Sequence, residues 1–227
     1  MKYIELREEI ADICVKMWQH EWVAANDGNI TVKLEDGTFL ATPTGVSKGM
    51  MTAQKIIRID AEGKTLEPEL EYLPSSEIKM HLRCYRERED VRAVVHAHPP
   101  AATAYACAGI PLDGYQMTET ILTLGSVPIA PYATPSTEEM PDSIAPYLAE
   151  HDGILLANHG ALTVGENLIS AFYHMESLEQ YAKISMNIKF LGGAEDLPQD
   201  KIDKLINLRE NYYHTPGKHP GYKKYTK

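Results

Sequence analysis

The sequence predicts one α/β domain in which a largely antiparallel sheet lies between layers of helices. Three observations carry this expectation. Apolar residues switch repeatedly between the period of 2 of strands and the period near 3.6 of helices. Strand signals often come in pairs around short Asp/Gly turns, which makes antiparallel neighbours. The 227 residues, 44% hydrophobic and 24% charged, show no internal repeat, low-complexity run or evident linker. Residues 1–215 are expected to form the domain and 216–227, a Pro/Gly/Lys segment, a flexible C-terminal tail.

In chain order, Ile10, Ile13, Cys14, Met17 and Trp18 recur at helical spacing, so residues 2–20 should open the fold as an amphipathic helix. The turn cluster NDGN (26–29) follows. Then ITVKL and TFLAT flank EDG (35–37) and read as a β-hairpin. KIIRID is a further strand. In LPSSEIKMHLRCYRERED the period changes: Ser75 and Ser76 are good N-caps, and Ile78, Leu82 and Tyr85 share one face. VRAVVHAH returns to strand, and PPAATAYACAG is a short helix with proline in its first turn. VPIAPYA reads as a strand and TEEMPDSIAPYLAEH as a helix. GILLANHGALTVG holds two strands around a turn at His159-Gly160. A long helix over NLISAFYHMESLEQYAKISMNIKF stops at two glycines, and a last one covers PQDKIDKLINLRENYY. The strand order does not follow from this pattern.

The net charge of −10 argues against general nucleic-acid binding, which needs a basic surface. No stretch approaches the roughly 20 apolar residues of a membrane span, and acids interrupt the N-terminal segment where a signal peptide needs an apolar run. The three cysteines are widely spaced and form no CxxC pair, which fits a reducing, cytoplasmic setting.

Two patterns carry chemistry. In a strand, residues two apart point to the same side, so His96 and His98 in VVHAHPP project together while Val95 and Ala97 face the opposite layer. With His159 of ANHG they could hold a divalent metal through neutral nitrogens. The other six histidines read as ordinary surface or hydrogen-bonded residues. Second, DGN (27–29), TPTG (42–45) and SSE (75–77) offer flexible backbone, small hydroxyls and a helix N-terminus, features suited to an anion. Each stretch also has a plain reading as a turn, a strand end or a cap.

The ordered set GNIT (28–31), TPTG (42–45), LPSSE (73–77), VVHAH (94–98), PYAT (131–134) and NHG (158–160) resembles the class II aldolase/adducin family. That family comprises zinc-dependent sugar-phosphate aldolases, related ribulose-phosphate 4-epimerases and methylthioribulose-1-phosphate dehydratases. The resemblance spans roughly residues 5–191. It implies an α/β/α sandwich assembled as a homotetramer with active sites between subunits. It implies Zn²⁺ held by His96, His98, His159 and Glu77, with Glu77 also the acid/base catalyst. The substrate phosphate would rest on Gly28, Asn29, Thr44, Gly45, Ser75 and Ser76. Tyr115 would assist proton transfer, as would Tyr212 or Tyr213. The implied reaction is reversible cleavage of a ketose 1-phosphate, L-fuculose 1-phosphate or a 5-deoxypentulose 1-phosphate, to dihydroxyacetone phosphate and an aldehyde through a zinc-stabilised enediolate. Glutamate at position 77 favours an aldolase over the epimerases, which usually carry aspartate there. A dehydratase and a non-catalytic adducin-like interaction module are the other outcomes on this scaffold.

Overall fold

The computed structural model describes residues 2–225. Seven strands form one sheet: β1 (Asn29–Lys33), β2 (Phe39–Ala41), β3 (Ile57–Ile59), β4 (Ala93–Ala97), β5 (Ile129–Ala130), β6 (Gly153–Leu156) and β7 (Gly160–Gly165). Their order across the sheet is β3-β2-β1-β4-β7-β6-β5. Every neighbouring pair is antiparallel except β5 and β6. The expected largely antiparallel α/β domain is therefore present, with β4 at its centre.

The helices are α1 (Ile4–Gln19), α2 (Ile78–Glu87), α3 (Pro100–Ala108), α4 (Thr118–Leu122), α5 (Glu139–Leu148), α6 (Leu168–Phe190) and α7 (Gln199–Asn211). The alternation of β4 explains how they are shared out. Ala93, Val95 and Ala97 point into a core built with Ile10, Cys14 and Met17 of α1, Ala102 of α3 and Met175 of α6. Val94 points the other way, into a core with Met80 and Cys84 of α2 and Ile144 and Leu148 of α5. All five β4 residues are buried, because a central strand covered on both faces needs a continuous apolar run. Each buried valine stabilises the sheet by about 1.5–3 kcal/mol. His96 shares the Val94 face and lies between Asn29 of β1 and Leu162 of β7.

Three expectations need correction, and one helix was missed. α2 begins at Ile78, and neither serine caps it through its side chain. Ser75 Oγ instead receives the Glu77 N–H at 3.3 Å and the Asn29 amide at 3.2 Å. The strand in VPIAPYA shrinks to two residues, since prolines on either side withhold ladder donors. The five-residue α4 was not anticipated. Finally, the segment 216–225 is not a free tail. The Lys218 N–H donates to Asp152 at 2.9 Å, His219 contacts the Ile121 carbonyl at 2.8 Å, and Lys224 pairs with Asp196 at 2.5 Å. Tyr225 meets both Asp113 and His151. Thr226 and Lys227, the rest of that expected tail, lie outside the described residues.

Candidate metal centre and anion cleft

The sheet assembles the site from three places. His96 is the one histidine within β4 and His98 follows just beyond it, while His159 sits in the β6–β7 turn and Glu77 precedes α2. Asn158 turns the chain through the left-handed region at φ 57°, a conformation asparagine tolerates. Gly160 then lets that turn lie on the end of β4. A Cβ there would stand 2.5 Å from the Ala97 carbonyl oxygen and 2.6 Å from His98 Cδ2. Gly28 performs the matching task from β1: its φ is +70°, and a Cβ would meet Val23 at 2.6 Å and the His96 carbonyl at 2.9 Å.

The three imidazoles face one another, with ring centroids 4.8–5.0 Å apart. His96 Nε2 lies 3.2 Å from His98 Nε2 and 3.3 Å from Glu77 Oε2, and His159 Nε2 lies 3.2 Å from Glu77 Oε1. Four ligands held about 2.0–2.1 Å from a central ion at tetrahedral angles are separated from each other by about 3.3–3.4 Å. The His96–His98 spacing matches such an edge, and the two oxygens of Glu77 approach His96 and His159 at similar distances. The donor set, three neutral nitrogens and one carboxylate, suits a divalent metal and leaves it a net positive charge.

The outer partners hold the rings in place. His96 Nδ1 is 2.9 Å from the Ala161 carbonyl and His98 Nδ1 is 3.5 Å from Asp27 Oδ2. Asn29 donates to Glu77 Oε2 at 2.9 Å. Meanwhile His159 Nδ1 and Asn29 Oδ1 are buried without a hydrogen-bond partner, and Glu77 Oε1 has only its contact with His159. Unmet buried polar atoms clustered at one point mark a site that binds something.

The electrostatics agree. Burial pushes the Glu77 carboxyl up, but the charge and hydrogen bond of His96, the charge of His159 and the Asn29 amide outweigh it, so Glu77 is held well below the usual carboxylate range. Burial pushes His96 down, yet the Glu77 charge wins and its pKa is raised. Burial and the His96 charge depress His98, and depress His159 to about 4. The cluster thus retains one carboxylate and favours one positive charge beside it, a place a proton or a metal ion can take.

Next to the histidines opens a cleft of about 210 Å³ lined by Asn26, Asp27, Gly28, Asn29, Pro43, Thr44, Ser75, Ser76, Glu77, His98, Pro135 and His159. The Thr44 N–H donates to the Leu73 carbonyl at 2.9 Å, which ties the 43–45 loop to the 73–76 loop. Five of the six residues expected to hold a phosphate line this cleft together. Gly45 is adjacent to Thr44, at φ +73°, but does not line it. No lysine or arginine appears among the lining residues. Sequence reasoning missed Asp27 as the partner of His98 and Pro135 as a wall; both looked like turn residues, and only their place beside quoted landmarks could have flagged them.

Tyr115 is not brought to the histidines in this chain. It is fully buried. Its hydroxyl takes the Lys223 N–H at 2.7 Å and lies 2.9 and 3.0 Å from the Gly221 and Lys223 carbonyls. The hydroxyl is committed to the tail, so the implied part in proton transfer is not supported within one chain. Tyr212 and Tyr213 meet edge to face just past the end of α7, exposed and outside the residues that line the cleft.

Comparison with known proteins agrees with this architecture. The family model for the class II aldolase and adducin N-terminal domain matches residues 8–186. The chain is 34% identical to a 3-oxo-tetronate 4-phosphate decarboxylase of Escherichia coli K12, across 79% of this chain and 85% of that one. It is 32% identical to a 5-deoxy-D-ribulose 1-phosphate aldolase of Bacillus thuringiensis serovar kurstaki, across 91% and 96%. A solved L-fuculose 1-phosphate aldolase superposes with a TM-score of 0.80 at 31% identity, covering 89% of this chain and 95% of the other. A matched model over most of the length, relatives above 30% identity and a shared fold place this chain in the class II aldolase and adducin family.

Proposed function

We propose that this chain is a Zn²⁺-dependent aldolase that reversibly cleaves a ketose 1-phosphate, such as L-fuculose 1-phosphate or a 5-deoxypentulose 1-phosphate, to dihydroxyacetone phosphate and an aldehyde. The observation that carries this reading is the convergence of His96, His98, His159 and Glu77 at metal-ligand spacing beside the small-residue cleft. Zinc held by His96, His98 and His159, with Glu77 released as substrate enters, would supply positive charge for the negative charge that builds on two substrate oxygens as the C–C bond breaks. Glu77 removes the hydroxyl proton as the aldehyde departs and returns a proton to carbon. The Asn29 amide orients that carboxylate. Gly28, Asn29, Thr44, Gly45, Ser75 and Ser76 receive the phosphate and set the register of the sugar. The reading includes a cytoplasmic homotetramer with active sites between subunits, which the family resemblance supports.

A second reading, decarboxylation of a 3-oxo acid phosphate, is favoured by the 34% identical relative. It passes through a carbanion of the same three-carbon phosphate but releases CO₂, and that substrate brings a carboxylate into the cleft. The 5-deoxy-D-ribulose 1-phosphate aldolase, matched over 91% of this chain against 79% for the decarboxylase, favours the first reading.

The test is product analysis on a panel of ketose 1-phosphates plus 3-oxo-tetronate 4-phosphate. Dihydroxyacetone phosphate with an aldehyde, lost on chelation and restored by Zn²⁺, is the expected result. CO₂ and dihydroxyacetone phosphate from 3-oxo-tetronate 4-phosphate, with no aldehyde released from any ketose 1-phosphate, would select the second reading. C4 inversion of a pentulose 5-phosphate, dehydration of methylthioribulose 1-phosphate, or protein purified without metal and inert on the panel, would overturn both.

A further inference from the structure

Lys48 is buried to 1% exposure, an unusual place for a lysine. It lies in a single turn of 3₁₀ helix, Lys48–Met50, after the TPTG loop. Its ammonium reaches back to the Asn26 carbonyl at 3.2 Å and the Val46 carbonyl at 3.3 Å. It therefore stitches together the two loops that carry Gly28 and Asn29 on one side and Thr44 on the other. Among the described residues no carboxylate lies within ion-pair distance of it. Asp27, 3.5 Å from His98, and Glu77 act on Lys48 only from beyond that distance. Cys14 is the strongest charge influence on Lys48, but burial pushes that thiol up to about 12, so it is neutral near pH 7.

Burying a cation without a counter-ion is costly, and the cost is recovered when an anion arrives nearby. The cleft in front of Asn26 and Thr44 is where the proposed function places a phosphate dianion. Its lining offers hydroxyls and backbone but no cationic side chain, in a chain whose net charge is −10. A hydroxyl and amide cradle would meet that overall field with the proposed metal as its only other positive charge.

We propose that Lys48 is a positioning residue for the substrate phosphate, acting from behind the cleft wall. It fixes the spacing of the two loops and provides positive potential through one layer of backbone, without touching the ligand. Burial lowers the Lys48 pKa, with Cys14, Asp27 and Glu77 opposing that shift, which fits a charge that lacks a partner. This inference rests on the phosphate-cleft assignment.

The test uses inorganic phosphate and acetohydroxamate, a metal-directed ligand without phosphate, each titrated calorimetrically into the Zn²⁺-loaded protein. Lys48→Met keeps the shape and removes the charge. It should weaken phosphate about tenfold, the size expected for a screened charge a few ångströms behind the ligand, and leave acetohydroxamate within twofold. Lys48→Gln, which retains two donors for the carbonyls, carries the same comparison should the methionine variant fail to fold. Equal loss of both ligands would reduce Lys48 to a structural role and overturn the inference. So would phosphate affinity within twofold of the parent protein. If the parent itself binds no phosphate while acetohydroxamate still binds, the cleft assignment fails and the inference falls with it.

Discussion

Gly160→Ala tests whether the metal centre depends on the close seating of the β6–β7 turn against β4. The new Cβ would fall 0.9 Å short of the 3.4 Å at which ordinary contact begins with the Ala97 carbonyl, and 0.8 Å short with the His98 ring. Neither neighbour can swing away cheaply. The carbonyl belongs to the β4–β7 ladder, where Ala97 faces Ala161, and the ring is a proposed ligand. Overpacking of this kind costs about 1–3 kcal/mol, or a fall in Tm of about 2–4 °C per kcal/mol for a domain this size. The larger consequence is at the site. Moving His98 by a few tenths of an ångström spoils the 3.2 Å approach of its Nε2 to that of His96, and metal affinity should fall about 10–100-fold, as for loss of an outer partner of a metal ligand. Each tenfold loss removes about 1.4 kcal/mol of metal-linked stabilisation. Thermal melts with and without saturating Zn²⁺ separate the two effects, and a competition titration against a chromogenic chelator measures affinity directly. The metal-loaded protein should lose more Tm than the metal-free one. An equal fall in both forms, with affinity unchanged, would refute the coupling of turn and metal centre.

Three further outcomes are expected. Glu77→Gln should retain the fold and bind metal while losing turnover by about 10²–10⁴-fold; near-parental turnover in the product assay would remove Glu77 from proton transfer. Tyr115→Phe deletes the hydroxyl that receives the Lys223 N–H and should cost about 1–2 kcal/mol, seen as faster proteolysis at the C-terminal segment; a hundredfold fall in kcat with the segment still protected would restore Tyr115 to the chemistry. His81 is buried, and burial followed by the His96 charge depresses its pKa to about 3, with Glu77 opposing. Between pH 6.5 and about 3 the unfolded chain binds a proton there that the folded chain does not, so stability should fall with pH by about 1.4 kcal/mol per unit for this group. Urea melts of metal-free His81→Gln should show a shallower acid slope than the parent, and an identical slope would contradict the assignment.

The fold was legible where local chemistry is strong. α1, α6, the β1–β2 and β6–β7 hairpins and β4 all announce themselves through periodicity and turn residues. The strand order was not, because β4 pairs with β1 and β7, each about sixty residues away in sequence, and no local pattern records such a pairing. The start of α2 was misread because Ser75 spends its oxygen on Asn29 and Glu77, a tertiary demand that overrides capping. At the site, the histidines stood out because two imidazoles at strand spacing make no sense as core. Lys48 did not, since a lysine near a turn reads as surface until the loops around it are in place. The tail misled through composition: its glycines and lysines suggest mobility, whereas His219, Tyr222 and Tyr225 anchor it.

The central position of β4 has a consequence for the order of events in biosynthesis. The proposed ligands span Glu77 to His159, and they converge only once β4 has found β7, whose last residue is Gly165. A chain emerging from the ribosome exposes Glu77, His96 and His98 well before the third imidazole exists to join them. The proposed metal centre would therefore complete late, after most of the sheet has been translated, and its affinity would belong to the finished topology. Retention of metal becomes a report on correct strand pairing, and a chain truncated before β7 would lack the means to capture it.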